Sequence, residues 1–242
     1  MFPSFVINLD SQPERYNKFN ERFSETDLED IKRITGCDGK QNRNNPLVNP
    51  YVRPFLTDAI IGCGLSHIML AKHIVDSEYP FALVLEDDVV PLRKDLSHVM
   101  YMYYEQFGKD VDVIRFFCQG ICPKNNSRLS GSTAVYLITR KGAMKLAGMT
   151  LSYHIDVQMN NSCLVIQNIN GDVFKTLDST KHYKFPFLNI PIMNQKLGFW
   201  GNQALFRIPI LKINVDVNVM FMLLVMYAYW SVLFHYRIRM GF

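Results

Sequence analysis

Residues 81–89, Phe-Ala-Leu-Val-Leu-Glu-Asp-Asp-Val, constrain the fold more than any other part of the chain. The run is apolar up to Leu85, with Pro80 before it and Pro91 after it. An uninterrupted apolar run of this length, bounded by prolines, is typical of a strand that is buried on both faces. Such strands lie at the centre of sheets covered by helices, so the segment predicts an α/β fold.

Three consecutive carboxylates, Glu86, Asp87 and Asp88, follow where this strand should emerge from the core. If the backbone stays extended, Glu86 and Asp88 point to one side and Asp87 to the other. Two carboxylates that point together repel each other unless a cation lies between them. Carboxylate oxygens suit Mg²⁺ or Mn²⁺, which in turn bind phosphate oxygens. Two interpretations remain open here, a metal–diphosphate site at the carboxyl end of a strand or a solvated acidic turn.

Strands and helices alternate along the first 160 residues, which predicts a mainly parallel sheet flanked by helices. No GxGxxG or GxxxxGK loop is present, which argues against Rossmann dehydrogenases and P-loop NTPases. Residues 37–56 are rich in Asn, Gly and Pro and predict a loop. The predicted strands are 5–9, 81–85, 111–117 and 133–139, with a further candidate at 163–167. The predicted helices begin at Pro13 and near Gly62, and span 95–107 and 140–148.

The last part of the chain predicts a membrane helix, over residues 213–236, after a catalytic domain over 1–210. Residues 217–234 contain no charged side chain, and their 18 residues would span roughly 27 Å as a helix, close to the thickness of a bilayer core. The alternatives are a buried core helix or an apolar strand. The N-terminus lacks a basic and apolar leader, so we expect a single-pass C-terminal anchor with the catalytic domain in the cytosol.

The cysteines and the net charge limit the kinds of site and partner that the chain can have. The five cysteines are odd in number and widely spaced, and only Cys118 and Cys122 lie close together, without a matching second pair. This pattern favours free thiols in a reducing compartment over a zinc site. The net charge of +4 is mild, and the basic residues are spread out, so no nucleic-acid partner is expected.

Several segments together resemble glycosyltransferase family 25, which includes lipopolysaccharide galactosyltransferases and collagen galactosyltransferase domains. Residues 82–89 resemble its "ALVLEDDV" motif, and residues 61–67, Ile-Gly-Cys-Gly-Leu-Ser-His, its "GCxxSH" motif. The other matches occur in the family's order: residues 6–15 with "INLD…PER", 35–39 with "AxDG", 131–143 with "GTxAYLISRxGA", and 154–156 with "PxD". The resemblance covers roughly residues 4–160.

This resemblance implies a GT-A-like fold and a metal-dependent hexosyltransferase that uses a UDP-sugar. The sugar would be galactose or glucose, and the acceptor a glycan, a lipid-linked glycan or a protein, with inversion at the anomeric carbon. The implied cofactor is Mn²⁺ or Mg²⁺. An acceptor at a membrane would agree with the predicted anchor.

The resemblance also implies roles for particular residues. Asp88 is the expected metal ligand, and Glu86 a second carboxylate that touches the metal or the donor ribose, while Asp87 orients the loop. Asp156 is the candidate general base, although a solvated aspartate would look the same. The remaining candidates are Asn8 and Arg15 for the nucleotide, Ser66 and His67 at a helix N-terminus facing an anion, and His182 as a further metal ligand. For Arg15, His67 and His182, an exposed arginine, a structural histidine and a surface histidine are the alternatives.

Two other classes of function remain open from the sequence. A metal-dependent phosphotransferase or nucleotidyltransferase could use the same acidic cluster and would consume a nucleoside triphosphate or phosphoester without a sugar donor. A membrane protein with a decayed transferase domain would bind little UDP and no Mn²⁺.

Overall fold

The structure is a computed structural model that describes residues 2–117, 132–169, 173–177, 205–208, 213–216 and 226–231. The chain divides into two units. The first comprises residues 1–53 and 58–181, and the second comprises residues 54–57 and 182–242. The predicted domain boundary, between residues 210 and 213, stays a prediction.

The first unit alternates strands and helices, as the sequence predicts. Its strands are β1 (Ser4–Asn8), β2 (Ile31–Thr35), β3 (Phe81–Glu86), β4 (Val89–Pro91), β5 (Val113–Arg115), β6 (Val135–Thr139), β7 (Ile166–Asn168) and β8 (Phe174–Thr176). Its helices are α1 (Pro13–Phe23), α2 (Asp58–Asp76), α3 (Leu96–Phe107), α4 (Arg140–Ala147) and α5 (Ile155–Asn160). A 3₁₀ helix spans Arg53–Phe55.

The central sheet has six strands in the order β2-β1-β3-β6-β5-β7. Strand β1 pairs in parallel with both β2 and β3, and β5 pairs in parallel with β7. Strand β6 is antiparallel to β3 and to β5 and is therefore the reversed member. The mainly parallel sheet is confirmed, and the carboxyl ends of β1, β2 and β3 meet at one edge. A separate pair is formed by β4 and β8, which run antiparallel.

Helices cover both faces of the sheet. On one face, Leu83 and Leu85 of β3 belong to a core cluster with Phe19 of α1 and Met100 of α3. On the other face, α2 contacts the sheet, and its His73 ring packs edge-on against Phe5 of β1. The leucines of β3 are fully buried, and each such side chain contributes about 1.5–3 kcal/mol of hydrophobic stabilisation. Packing on both faces is the reason that 81–85 carries no polar side chain.

In the second unit, Leu205–Ile208 (β9) and Ile213–Asp216 (β10) form an antiparallel pair, and residues 226–231 are helical. The prediction of a membrane helix from residue 213 is therefore wrong for 213–216. Apolar and polar residues alternate over Ile213–Asp216, which is the pattern of a strand. Most of residues 217–236 lie outside the described residues, and the anchor stays a prediction there. Within the described chain, α2 has the length and apolar composition of a membrane-spanning helix, but 61% of its apolar window is buried in the fold.

Candidate active site

A pocket of about 390 Å³ opens where β1, β2 and β3 end. Its walls come from the end of β1, the turn at 36–39 after β2, the end of β3 and the first half of α2. Parallel strands that end together commonly leave such a crevice for a ligand. Five predicted site residues line the pocket: Asn8, Arg15, Ser66, His67 and Glu86. Asp88 and Asp156 are not among the lining residues, and His182 lies outside the described part of the chain.

Two glycines let the turn at 36–39 lie directly on α2. A Cβ atom on Gly39 would lie 1.8 Å from the carbonyl oxygen of Asp58, and one on Gly62 would lie 2.5 Å from the carbonyl oxygen of Cys37. Neither distance is possible for a real side chain, so the contact requires glycine at both positions. The amide of Cys37 also donates a hydrogen bond of 2.8 Å to Oγ of Ser66. The turn at 36–39 and the motif at 61–67 on α2, which lie more than 20 positions apart in the sequence, thus form one wall of the pocket.

Ser66 and His67 do not open a helix, which corrects the prediction for them. Helix α2 begins at Asp58, so both residues lie well inside it, and the Ser66 hydroxyl donates to the carbonyl of Gly62. The glycines at 62 and 64 suggested a helix start because glycine disfavours helix interiors. Close packing against the turn and against Leu151 overrides that preference. No helix N-terminus is available to an anion at Ser66 and His67.

Asp87 anchors the acidic turn to β1 and α1. Its carboxylate accepts a 2.7 Å hydrogen bond from Nδ2 of Asn8 and forms an ion pair with Arg15. Asn8 is buried, and its Oδ1 accepts from Nε of Arg33, so its amide is engaged on both sides. The Arg22 guanidinium donates to the main-chain carbonyl of Asp87. These contacts match the expected role of Asp87 in holding the loop.

Asp88 is the least compensated carboxylate of the triplet. Strand β3 ends at Glu86, so the backbone is not extended through Asp88 as the predicted alternation assumed. Its Oδ1 is buried and has no hydrogen-bond partner among the described residues, and its Oδ2 lies 3.7 Å from Nη2 of Arg15. Burial and the nearby charge of Glu86 raise the pKa of the Asp88 carboxyl to about 6. A bound cation would satisfy the free oxygen and offset this repulsion.

Glu86 is held by a chain of buried polar groups on the α2 face of the sheet. Its Oε1 accepts a 2.8 Å hydrogen bond from the Thr133 hydroxyl and lies 3.3 Å from Nε2 of His67. The other ring nitrogen of His67, Nδ1, lies 2.9 Å from the hydroxyl of Tyr136 on β6. Burial alone would raise the pKa of the Glu86 carboxyl, but the interactions with His67 and Thr133 keep that pKa below its usual value. Glu86 is therefore an ionised carboxylate in a fixed orientation.

Cys63 completes this buried group. It lies one helical turn before His67 on α2, and its Sγ, a ring nitrogen of His67 and a carboxylate oxygen of Glu86 all lie within 4.8 Å of one another. Burial, together with the charges of Glu86 and Asp156, raises the pKa of the Cys63 thiol well above its usual value. Sequence reasoning missed Cys63, Thr133 and Tyr136 as site residues. The signal for Cys63 was its spacing of four residues from His67, which places both on one helix face.

Asp156 lies in the first turn of α5 rather than in a loop. Its Oδ1 accepts from the amide of Val157 and lies 3.6 Å from Nδ1 of His154. The side chain is 27% exposed, and α5 packs against α2. The carboxylate is therefore accessible and close to the pocket wall without lining the pocket.

Arg115 is a buried cation that the sequence did not single out for function. It ends β5, is 1% exposed and donates from Nη1 to Oδ1 of Asn160 on α5. Within the described residues, its Nε and Nη2 have no partner. Burial lowers the pKa of Arg115 to about 10, partly offset by the charge of Asp156. A charged residue in an otherwise apolar strand was the available signal.

The sequence profile of glycosyltransferase family 25, described as an LPS biosynthesis protein family, matches residues 1–161. The chain belongs to glycosyltransferase family 25. The matched region contains all of the described site residues, from Asn8 to Asp156. Family 25 membership agrees with the resemblance carried by the acidic triplet and by the motif that contains Cys63 and His67.

Individual relatives of this family 25 chain match it over shorter stretches. A "Glycosyltransferase 25 family member" of Aedes aegypti is 33% identical over 96 residues, which cover 35% of this chain and 16% of that protein. "Procollagen galactosyltransferase 2" of Mus musculus is 32% identical over 96 residues, covering 35% of this chain and 15% of that protein. The match thus spans about a sixth of the length of these curated relatives.

Among solved structures, a CMP:2-keto-3-deoxy-manno-octonic acid synthetase complexed with CTP is similar at a TM-score of 0.43 and 12% identity. The similarity covers 74% of this chain and 93% of that chain. The crystal structure of A197 from STIV is similar at a TM-score of 0.39 and 14% identity, covering 70% of this chain and 82% of that one. Similarity at this level adds nothing to the assignment of the family 25 chain.

Proposed function

We propose that this chain is a metal-dependent glycosyltransferase with a GT-A-like fold that transfers galactose or glucose from a UDP-sugar. The acceptor is a glycan, a lipid-linked glycan or a protein, and transfer inverts the anomeric carbon. The observation that carries the proposal is Asp88. In a family 25 chain, its buried carboxylate oxygen, which has no partner among the described residues, lies near the ionised carboxylate of Glu86, and Glu86 lines a ligand-sized pocket.

Asp88 would hold Mn²⁺ or Mg²⁺ together with Glu86. The donor set is all oxygen, which suits these hard cations, and the free Oδ1 of Asp88 fits a metal ligand. When bound, the cation supplies positive charge that stabilises the diphosphate leaving group. Asp87 is already committed to Asn8 and Arg15, so it keeps the turn in place without being a ligand itself.

The remaining donor-site residues bind and orient the nucleotide. Arg15 is 43% exposed at the pocket rim, so its guanidinium can reach a phosphate oxygen while it stays close to Asp87. Ser66 and His67 act through the wall they build, because their polar atoms are bonded to Cys37 and Gly62, and to Tyr136 and Glu86.

Asp156 is the proposed general base. In an inverting reaction the acceptor hydroxyl attacks the anomeric carbon as the bond to the diphosphate oxygen breaks, and its proton passes to a carboxylate oxygen of Asp156. The exposed fraction of Asp156 and its position on α5 beside α2 support this role.

The apolar residues 217–234 support an acceptor at a membrane, with the catalytic unit on the cytosolic side. We expect the full chain to stay with membranes after extraction in high salt and at alkaline pH. Release of the chain into the soluble fraction by high salt alone would contradict the anchor.

The test of function is UDP release by the full chain, with Mn²⁺ and a panel of UDP-sugars, compared with Asp88→Asn. Asp76→Asn is the matched control, because Asp76 is an exposed aspartate at the far end of α2. We expect release from one donor that requires Mn²⁺, survives Asp76→Asn and falls at least about 100-fold in Asp88→Asn. Release from a nucleoside triphosphate instead would favour a nucleotidyltransferase. Absence of UDP and Mn²⁺ binding in a folded chain would favour a decayed domain.

A further inference from the structure

We propose that Cys63, His67 and Glu86 form a second cation site, selective for Zn²⁺, which shares only Glu86 with the Asp88 site. The three ligand atoms lie within 4.8 Å of one another, and all three residues line the pocket. Two of them lie on one helix, His67 buried and Cys63 partly buried, and the third is fixed at the end of β3. The proposal concerns binding by these residues and does not depend on the transferase reaction.

The separations already approach those of a tetrahedral zinc site. With Zn–S near 2.3 Å and Zn–N and Zn–O near 2.0–2.2 Å, neighbouring ligand atoms lie about 3.3–3.6 Å apart. Nε2 of His67 and Oε1 of Glu86 are 3.3 Å apart. The distance from Sγ of Cys63 to each of the other two ligand atoms would have to shorten by about 1.5 Å at most, given the 4.8 Å limit. A cation between these two atoms requires the His67 tautomer in which Nε2 carries no proton and Nδ1–H donates to the Tyr136 hydroxyl.

Two of the three ligands, His67 and Glu86, also have an outer hydrogen bond of the kind that orients metal ligands. Tyr136 fixes the ring of His67 through Nδ1, which leaves Nε2 directed at Glu86 and Cys63. Thr133 donates to Oε1 of Glu86. Such partners normally set the ring orientation of a ligating histidine and hold ligating carboxylates in place. These contacts hold His67 and Glu86 in place before any ion is present.

The donor set decides which cation is bound. One thiolate, one imidazole and one carboxylate suit Zn²⁺ or Co²⁺, whereas Mn²⁺ and Mg²⁺ prefer oxygen alone. Three protein ligands leave a fourth coordination position, and because the same residues line the pocket, that position faces the ligand space. On binding, the Cys63 thiol releases its proton to solvent and its sulfur bonds to the metal. The carboxylates of Glu86, Asp88 and Asp156 near Cys63 favour a cation here.

Cobalt substitution tests the site in the full chain. After removal of metals with a chelator, addition of Co²⁺ should give a thiolate-to-cobalt absorption band with one ion per chain. Zn²⁺ should remove the band, and Mn²⁺ in large excess should not. The band should be lost in Cys63→Ala and retained in Cys37→Ala, since Cys37 lines the same pocket outside the cluster. Retention in Asp88→Asn would separate this site from the Asp88 site.

A second variant covers the case in which Cys63→Ala does not fold. In a chain whose other four cysteines (Cys37, Cys118, Cys122 and Cys163) are alanine, X-ray absorption of bound Zn²⁺ should show one sulfur neighbour at about 2.3 Å. Zn²⁺ affinity should fall at least about tenfold in Tyr136→Phe, because the histidine loses its orienting partner. A wild-type chain without the cobalt band, a band that survives Cys63→Ala, or bound zinc without sulfur would each overturn the proposal.

Discussion

Asp88→Asn should make the metal-free protein more stable at neutral pH while it removes Mn²⁺ binding. Ionised Asp88 is largely buried, is repelled by Glu86 and has one carboxylate oxygen without a partner in the part of the chain that the structure describes. Asparagine has nearly the same shape without the charge. The substitution therefore removes an unfavourable interaction from the folded state.

The magnitude follows from the pKa of Asp88. It rises from 3.8 to about 6 on folding, and each pKa unit corresponds to about 1.4 kcal/mol, so ionised Asp88 costs at most about 3 kcal/mol. The side chain is 26% exposed, which lets water screen part of this cost. We therefore expect a gain of about 1–2 kcal/mol in the free energy of unfolding at pH 7.5.

The raised pKa of Asp88 also determines how its effect on the free energy of unfolding changes with pH. Because the folded-state pKa is the higher one, the folded protein retains the proton between about pH 4 and pH 6 while the unfolded chain has lost it. The contribution of Asp88 to the free energy of unfolding of the wild type is therefore fully present below about pH 4, and it is lost as the pH rises through about 6. The advantage of Asp88→Asn should be absent at pH 4 and reach its full value above pH 6.

Urea unfolding in a chelator, at pH 4 and at pH 7.5, measures both values. The matched control is Asp87→Asn, which should lose about 1–3 kcal/mol at pH 7.5 because it breaks bonds to Asn8 and Arg15. Mn²⁺ at 100 times its Kd should stabilise the wild type by about 2.7 kcal/mol and leave Asp88→Asn unchanged. An Asp88→Asn protein less stable than the wild type at pH 7.5, or a gain that persists at pH 4, would refute the reasoning.

Three further outcomes are expected. Gly62→Ala, although alanine favours helices, should lower the free energy of unfolding by about 1–3 kcal/mol in urea, because its Cβ would meet the Cys37 carbonyl; unchanged stability would contradict the contact. Tyr136→Phe should cost about 1–3 kcal/mol in the same assay, since it leaves a nitrogen of His67 buried and unpaired, and a neutral result would argue against that hydrogen bond. Cys37 should react with iodoacetamide more slowly than exposed Cys163 at pH 8, read by peptide mass spectrometry, because burial raises the pKa of Cys37; equal rates would exclude this.

The sequence predicted the order of the main strands and helices because that order is visible in the spacing of apolar residues. Strand β3 and the helices α3 and α4 lie close to their predicted positions, whereas helix α5 was not predicted. The mainly parallel sheet follows from the alternation of strands and helices. The reversal of β6 could not be read in this way, since Val135–Thr139 is buried on both faces whichever way it runs. Strand direction depends on the path of the chain, which local pattern does not encode.

The sequence predicted several of the residues that form the site, but it did not predict which of them hydrogen-bond to one another. Asn8, Arg15, His67, Glu86 and Asp87 do line one pocket, whereas Asp88 is not among its lining residues. The hydrogen bond of His67 to Tyr136 spans 69 positions, and the bond of Glu86 to Thr133 spans 47. Such pairs depend on which strands are neighbours. At Ile213–Asp216 the error was local rather than long-range. The long apolar stretch that follows led to the prediction of a membrane helix, although apolar and polar residues alternate over these four positions as in a strand.

The three carboxylates of the triplet differ in what the fold has already given them. Asp87 is neutralised by Arg15 and bonded to Asn8, so its interactions are complete without a ligand. Glu86 is bonded to Thr133 and His67 through Oε1, so it is fixed in place and ionised. Among the described residues, Asp88 alone of the three retains a buried oxygen without a partner, and burial and the charge of Glu86 make its ionised state costly. The fold supplies partners for Asp87 and Glu86 and leaves Asp88 beside their negative charge. A bound cation would therefore stabilise the folded protein most at Asp88, which is the reason to test Asp88 first.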